Sequence, residues 1–450
     1  MQKKILAAAV AALCGVATTA IAQQAGGSKV ELWGIVDAAV RHTTNEGADK
    51  SGLTKMVGGG MSQSRWGLNV EEDLGGGSKA LVHLEHRFNA DTGAKDATAP
   101  FFQLSYVGLQ GPYGRLTMGR QWNVLFDVVT STYASFPYSP YMDAYKPELG
   151  MAAGARSSNA LKYTLATPDR SLVGTLQYAF AEGNNTKAVK DAAVAYAKLT
   201  PLNAALGLPY QMALPPLGAT GQQQIDAMVA GINPSAPAPG TGDLIQAATG
   251  SATGALKNAG GFLRYSKNGI SVGGGFLRTY LPGGTDLDAW TVGGSYRQDK
   301  LYVNLGYGLN KVKRPKFSGS TVEDYLKYKA SMFVDQNVLN AFWQGQTNGG
   351  FQAGEADKRQ MVKMGFGYQV TPQINAGMHY YYAKQSGDPT GAYNGKAHFV
   401  VAVANYAFSK RTDAYVAVDY TKVNGGEQMA VDPNGATKRQ GFTVGLRHRF

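Results

Sequence analysis

The stretch whose reading decides the fold closes the chain: Gln440-Gly441-Phe442-Thr443-Val444-Gly445-Leu446-Arg447-His448-Arg449-Phe450. Phe442, Val444, Leu446, His448 and Phe450 fall on one side of an extended backbone, and Thr443, Gly445, Arg447 and Arg449 on the other. Side chains alternate between the faces of a strand, so this segment has one largely apolar and one largely polar face. The pattern recurs in Val30–Arg41, where Val30, Leu32, Gly34, Val36, Ala38 and Val40 oppose Glu31, Asp37 and Arg41. In Ala80–Asn89, Ala80, Val82, Leu84 and Phe88 oppose His83, Glu85, Arg87 and Asn89, with His86 as the exception on the apolar side. Phe102, Leu104 and Tyr106 oppose Gln103 and Ser105.

Extended outward, the pattern predicts sixteen strands, near residues 29–42, 62–74, 78–90, 101–111, 113–122, 156–167, 171–182, 257–267, 269–280, 286–298, 300–313, 358–370, 372–385, 395–409, 411–423 and 438–450. Short and long connections alternate strictly. The short ones are Leu74–Ser78, Gly111-Pro112, Thr167–Arg170, Lys267–Gly269, Gln298–Lys300, Thr371-Pro372 and Ser409-Lys410, rich in the residues that tight turns favour. An even strand number with short turns at one end and long loops at the other is the pattern of an outer-membrane barrel. In hydrocarbon every backbone polar group needs a partner, so the first and last strands are expected to join. The fold expected is all-β: a 16-stranded antiparallel transmembrane β-barrel.

Bulk properties agree. Mean hydropathy is −0.22, yet a barrel keeps it low by alternating apolar residues with polar ones facing the lumen. No segment after the N-terminus offers the ~18 uncharged apolar residues that a spanning helix needs. Lys3 and Lys4 precede an apolar stretch, Ile5–Val16, and Ala20-Ile21-Ala22 has the small residues of an export cleavage site. Residues 1–22 are therefore read as a signal peptide removed before Gln23. Leu13 stands where a lipoprotein signal has a small residue, which argues against lipidation at Cys14. Residues 23–450 then form a single barrel without cysteine and with a net charge of +10 in place of +12.

Three long connections differ from the rest. That near 121–155 is rich in Tyr, Pro and Ser. That at about 183–256 is a long extracellular insertion, with short helices expected at Ala188–Ala197 and Gln222–Gly231. That near 314–357 has a helix expected at Val322–Phe333. Tyr380-Tyr381-Tyr382, Tyr406, Phe408 and Tyr420 are expected near strand ends, as interfacial girdles. Lys311, Lys313, Arg314 and Lys316 form a basic run that suits lipopolysaccharide phosphate or solvent alike.

Catalytic readings find little. The six histidines show no zinc-binding spacing, and His83 and His86 fall on opposite faces. No catalytic set, metal site or cofactor is expected, and export with strand alternation argues against nucleic acid as a partner.

Several motifs carry a resemblance. Ser64-Arg65-Trp66-Gly67 with Glu72-Asp73-Leu74-Gly75, Tyr106-Val107-Gly108-Leu109, Gly114–Gln121, Arg156-Ser157-Ser158-Asn159 and the terminal Phe450 together resemble Gram-negative general porins, most closely those of betaproteobacteria. The resemblance covers the mature chain apart from the 183–256 insertion. It implies a homotrimer of 16-stranded barrels, each with an infolded third loop that narrows the pore, and a terminal Phe450 read by the barrel-insertion machinery. It implies wall arginines at Arg65 and Arg156 and, through Pro147-Glu148-Leu149-Gly150, an acidic loop residue at Glu148. Gln103 and Ile35 depart from the family's basic wall positions.

The resemblance, with strand parity for the arginines, implies a pore constriction of Arg65, Arg87, Arg156, Asp143 and Glu148, and a pore lining that includes Asp37, Glu85, Gln103, Arg115 and Lys162. A ring of fixed positive charge admits anions in preference to cations. The expectation is an outer-membrane channel for passive diffusion of ions and small hydrophilic solutes, preferring anions. The alternatives are a substrate-selective channel for small organic acids or aromatic nutrients, and an adhesin or structural barrel that uses its long loops.

Overall fold

The computed structural model describes residues 27–47, 49–96, 100–134, 154–181, 256–281, 283–319, 356–431 and 434–450, together with Tyr328, Met332, Asp335 and Leu339. The signal peptide, the helices expected at 188–197 and 222–231, residues 183–255 of the insertion, Asp143 and Glu148 lie outside them.

In chain order the elements are β1 (Lys29–Thr43), β2 (Leu53–Val57), β3 (Arg65–Gly75), β4 (Ser78–Arg87), β5 (Phe102–Gly111), β6 (Gly114–Trp122), α1 (Val124–Thr132), β7 (Arg156–Ala166), β8 (Leu172–Ala179), β9 (Asn258–Lys267), β10 (Ile270–Tyr280), β11 (Asp286–Gln298), β12 (Leu301–Lys313), β13 (Lys358–Gln369), β14 (Ile374–Ser386), β15 (Gly395–Ala407), β16 (Thr412–Gly425) and β17 (Lys438–Arg449). From β3 to β17 each strand pairs antiparallel with the next. β1 closes the ring. One edge meets β17 from Ile35↔Arg449 to Thr43↔Gly441, and the other meets β3 and then β2. Beyond the ladder, Gly34 and Phe450 exchange two backbone hydrogen bonds of 3.1 Å. Among the described residues no strand edge is left for lipid to meet.

The faces are inverted relative to a water-soluble protein. Val30, Leu32, Val36 and Val40 of β1 and Phe442, Val444 and Leu446 of β17 are exposed on the outer wall, whereas Asp37, Arg41, Thr443 and Arg447 are buried inside. The short connections all lie at one end and the long ones at the other. At Lys267-Asn268-Gly269-Ile270, Asn268 (φ 52°) and Gly269 (φ 79°) form a two-residue hairpin whose twist matches the strands it joins.

The barrel has seventeen strand segments but sixteen wall positions, because β2 and β3 share one. The strand expected near 62–74 is β3, and β2 is a further short segment that shares its wall position, with residues 58–64 leaving the sheet between them. Asp37 explains the break. Its carboxylate accepts hydrogen bonds from the backbone N–H groups of Gly60 (2.9 Å), Met61 (3.2 Å) and Ser62 (2.8 Å) and from the Tyr415 hydroxyl (2.5 Å). The Asp37 N–H donates to Ser64 Oγ at 3.0 Å. Gly59 enters this turn at φ 123°, a region that favours glycine.

The third long connection turns inward at its start. α1 was not expected, because Val124–Thr132 is rich in β-branched residues. Capping and packing override that weakness. The Asn123 side chain accepts from Phe126 N–H, and Val124 N–H donates to Gln177 Oε1 on the wall (3.1 Å). Val124, Leu125, Val129 and Tyr133 bury against Leu277, Ala289 and Phe262 on the lumen side of β9–β11. A Cβ at Gly293 or Gly306 would stand 2.7 or 2.5 Å from the Tyr133 ring, so these glycines let the ring lie flat on the wall.

The expected aromatic girdle needs one correction. Tyr381 is fully buried on the lumen side, in mid-strand, while Tyr380 and Tyr382 flank it on the outer face. Of the helix expected at Val322–Phe333, Tyr328 and Met332 are described and are helical, as are Asp335 and Leu339 beyond its expected end. Asp335 clasps the β10–β11 loop, accepting N–H bonds from Gly283 (2.7 Å) and Thr285 (3.0 Å).

These contacts have measurable consequences. Asp37→Ala strands three backbone donors and a tyrosine hydroxyl, so thermal unfolding in detergent is expected to show a loss of about 2–4 kcal/mol. Burial pushes the Asp335 carboxyl up to about 6, against the hydrogen bonds that favour its charge. The clasp is therefore fully stable below about 4 and loses up to about 3 kcal/mol as pH rises through about 6. Hydrogen exchange at the Gly283 and Thr285 amides, corrected for intrinsic rates, should show protection falling over that range, and Asp335→Asn should abolish the change.

Candidate pore lining and constriction

Strand parity and register bring three of the expected wall cations together. Arg65 of β3 lies directly opposite Arg87 of β4, and both face the lumen beside Glu85. The Glu85 carboxylate is 3.7 Å from Arg65 and 3.2 Å from Arg87, and it lies within Coulombic reach of Arg156 on β7. Arg156 is paired across the ladder with Trp122, and its guanidinium stacks over the indole at 3.6 Å. Arg87 approaches the same ring at 5.8 Å. The other contact of the indole is with Phe126 of α1, stacked at 3.8 Å. Trp122 is thus a plate shared by the wall arginines and the inturned helix. Three guanidinium groups thus gather around one carboxylate where the third long connection leaves the wall.

The remaining expected residues separate. Lys162 donates to the Trp122 carbonyl at 2.9 Å and pairs with Asp127 of α1, so its charge anchors the helix. Arg115 stands at the short-turn end of β6, far along the wall from Arg156, where it meets Tyr106 at 3.4 Å and His83 stacks on that ring. Asp37 points inward but is fully covered by residues 60–62, so it is a structural residue rather than a free lining charge. Asp143 and Glu148 lie outside the described residues.

Strand β5 reads the opposite way from its polarity. Leu104 and Tyr106 face the lumen, while Val107 and Leu109 are exposed outside. Gln103 sits at a register shift and is buried. Its carbonyl accepts from Arg120 Nε at 3.1 Å, and Arg120 also reaches Ser158 Oγ at 2.6 Å. Arg120 therefore ties the backbone of β5 at position 103 to β7. The signal for Arg120 was Gly119 (φ 132°), where the β6–β7 register shifts and re-aims the next side chain.

Sequence reasoning left other lumen cations out of the site. Arg41 forms a two-pronged pair with Asp419 (2.6 and 3.0 Å), and Arg447 pairs with Asp413 at 3.0 Å. Lys363, fully buried, lies 4.8 Å from the Tyr133 ring. Parity alone marks all three as inward-facing. His83 and His86 diverge as expected: His83 stacks inside on Trp33 and Tyr106, and His86 meets Trp66 and Phe101.

Comparison with known proteins finds a matching family, relatives and similar folds. A family model described as Gram-negative porin matches residues 7–426. The chain is 29% identical over 387 residues to outer membrane porin protein 32 of Delftia acidovorans, covering 79% of this chain and 97% of that one. A shorter match, 36% over 139 residues, joins it to an outer membrane porin protein of Bordetella pertussis, covering 28% of this chain and 34% of the relative. Among solved structures, an anion-selective porin from Comamonas acidovorans superposes with a TM-score of 0.58 at 20% identity, over 94% of this chain and all of that one. OmpT of Vibrio cholerae, in a trimer form, gives 0.54 at 12% identity over 94% and 100%.

The shared indole predicts a specific coupling. In a double-mutant cycle of Arg156→Ala with Trp122→Ala, followed by chemical unfolding in detergent, about 0.5–2 kcal/mol of interaction energy is expected. The cycle of Arg65→Ala with Trp122→Ala should give close to none.

Proposed function

Because the chain belongs to the Gram-negative porin family and forms a channel through the bacterial outer membrane, we propose that this channel passes ions and small hydrophilic solutes passively and prefers anions. The observation that carries the preference is the convergence of Arg65, Arg87 and Arg156 on the single carboxylate of Glu85. In a wetted lumen a cluster of fixed guanidinium groups raises the local anion concentration and repels cations. Asp143 and Glu148, on the third long connection, would face this cluster and complete a transverse field across the neck. The similar fold of the anion-selective Comamonas porin supports the same reading.

We infer the following for export and assembly. Residues 1–22 direct export and are cleaved before Gln23. The working unit is a homotrimer, a reading supported by the trimer form of the similarly folded Vibrio protein. Phe450 is the terminal residue read by the insertion machinery. Of the basic run at the sixth long loop, Lys313 is bound to Asp288 at 2.6 Å and Arg314 to Asp357, which weakens that run as a site for lipopolysaccharide.

Planar-bilayer recording in a KCl gradient tests the preference. The wild-type protein should give a zero-current potential of anionic sign, with ohmic current. Each of Arg65→Gln, Arg87→Gln and Arg156→Gln should lower the chloride-to-potassium permeability ratio by up to about tenfold, since a unit charge at about 6 Å in water favours an anion and disfavours a cation by about 0.7 kcal/mol each. Glu85→Gln should raise it. A zero or cation-leaning potential in the wild type would sink the anion preference, and saturable block by one solute class would favour a substrate-selective channel.

A further inference from the structure

Between β2 and β3 the chain carries more residues than the wall needs. Val57 lies opposite Ala39 and Arg65 opposite Ile35, so a continuous strand would set three residues against Ala38, Asp37 and Val36. Residues 58–64, seven in all, stand there instead. Closing the wall takes only Ser64. Its hydroxyl accepts from the Asp37 N–H at 3.0 Å and donates to the Asp37 carbonyl at 3.1 Å, in place of the missing rung. The surplus can go outward or inward, and outward lies hydrocarbon, where its peptide groups would find no partner.

It goes inward. A Cβ at Gly60 would stand 2.2 Å from the Tyr415 hydroxyl, 2.9 Å from Ala39 Cβ and 3.0 Å from Thr443 Cγ2, so Gly60 lies on side chains of β16, β1 and β17. Arg447 of β17 donates to Ser62 Oγ at 2.7 Å. The segment thus crosses the lumen face of three neighbouring strands, about 10 Å of wall. The amide bonds to Asp37 hold it there, and Met61 is buried in the apolar cluster that contains Tyr415, Phe399 and Tyr381.

Its place in the ring matters. α1 packs on β9–β11, and β17 is seven strands on from β10, one short of halfway round the sixteen wall positions. The depths also agree. α1 lies over Gly273 and Gly275, the fourth and sixth residues of β10 from its short turn, and the segment lies over Tyr415 and Thr443, the fourth of β16 and the seventh of β17 from that same end. Each element buries one side and leaves a neutral polar edge: Thr130 and Ser131 of α1 are exposed, and Ser62 and Gln63 are half-buried. The Gln63 amide donates to Asn89 Oδ1 at 3.4 Å, two residues beyond Arg87, so this edge adjoins the arginine cluster.

We propose that residues 58–64 are a second inturned segment that faces α1 across the lumen and sets the size limit of the pore, with Ser62 and Gln63 lining the neck. Hydroxyl and amide groups at that edge sieve by width and leave discrimination by charge to the arginines. The proposal rests on the passive-channel reading and not on the anion preference.

Cysteine substitution tests it in the purified full chain, reconstituted in planar bilayers. The sequence has one cysteine, Cys14, so the unsubstituted protein reports any background labelling. Ser62→Cys and Gln63→Cys should each react with a neutral maleimide, read by intact mass, and the reaction should lower single-channel conductance by at least about a third. Ser266→Cys, on the lumen face of β9 beside its short turn, should react with little change in conductance. In liposome swelling with neutral sugars, Gln63→Trp should slow disaccharide entry relative to monosaccharide entry by about threefold or more. Unreactive thiols at both positions 62 and 63, or labelling of both without loss of conductance, would overturn the proposal. So would an unchanged disaccharide-to-monosaccharide ratio in Gln63→Trp. A wild type that carries no ohmic current would instead count against the passive-channel reading itself.

Discussion

Closure of the backbone hydrogen-bond ladder is the constraint on which this structure depends. In hydrocarbon an unpaired N–H or C=O costs several kcal/mol, so no strand can be left with a free edge. β1 meets that requirement alone, by pairing with β17 on one side and with β3 and β2 on the other. The terminal Phe450 completes the seam against Gly34. Once the ring is closed, each strand's alternation assigns every side chain to lipid or lumen, and the interior must accommodate the polar half of the sequence.

The interior does so by pairing polar groups rather than leaving an open bore of free charges. Arg41 with Asp419 and Arg447 with Asp413 neutralise one stretch of wall. Asp37 is spent on holding residues 60–62. Opposing this, the glycine-lined lumen face of β10–β12 is smooth enough for α1 and Tyr133 to lie on it. The Arg65–Arg87–Arg156 group is gathered at Glu85 and the Trp122 plate.

Much of this was legible in the sequence because a period of two is a local property. The outward Val30, Leu32, Val36 and Val40, the Asn268-Gly269 hairpin and the alternation of short and long connections needed no tertiary information. The convergence of Arg65, Arg87 and Arg156 was readable in part, since each has the inward parity of its strand. The failures share one cause. Wherever a bulge or break shifts the register, parity no longer reports the face, as at Gln103, Arg120 and the gap between β2 and β3. On β5 polarity itself misled, because Tyr106 faces inward to stack on His83 while Val107 faces out.

The sequence by itself determined the barrel, the number of wall positions and the inward parity of most of the lumen cations, because these follow from strand periodicity and the need to pair every backbone group. Only the tertiary structure decided which of those charges remain available. Asp37 and Lys162 look like lining residues in the chain, yet their partners, Tyr415 and Asp127, stand 378 and 35 positions away. α1 likewise forms where local propensity disfavours a helix, because the wall of β9–β11 supplies the apolar surface it needs. Long-range pairing across a closed sheet brings such residues together, and no local pattern encodes it.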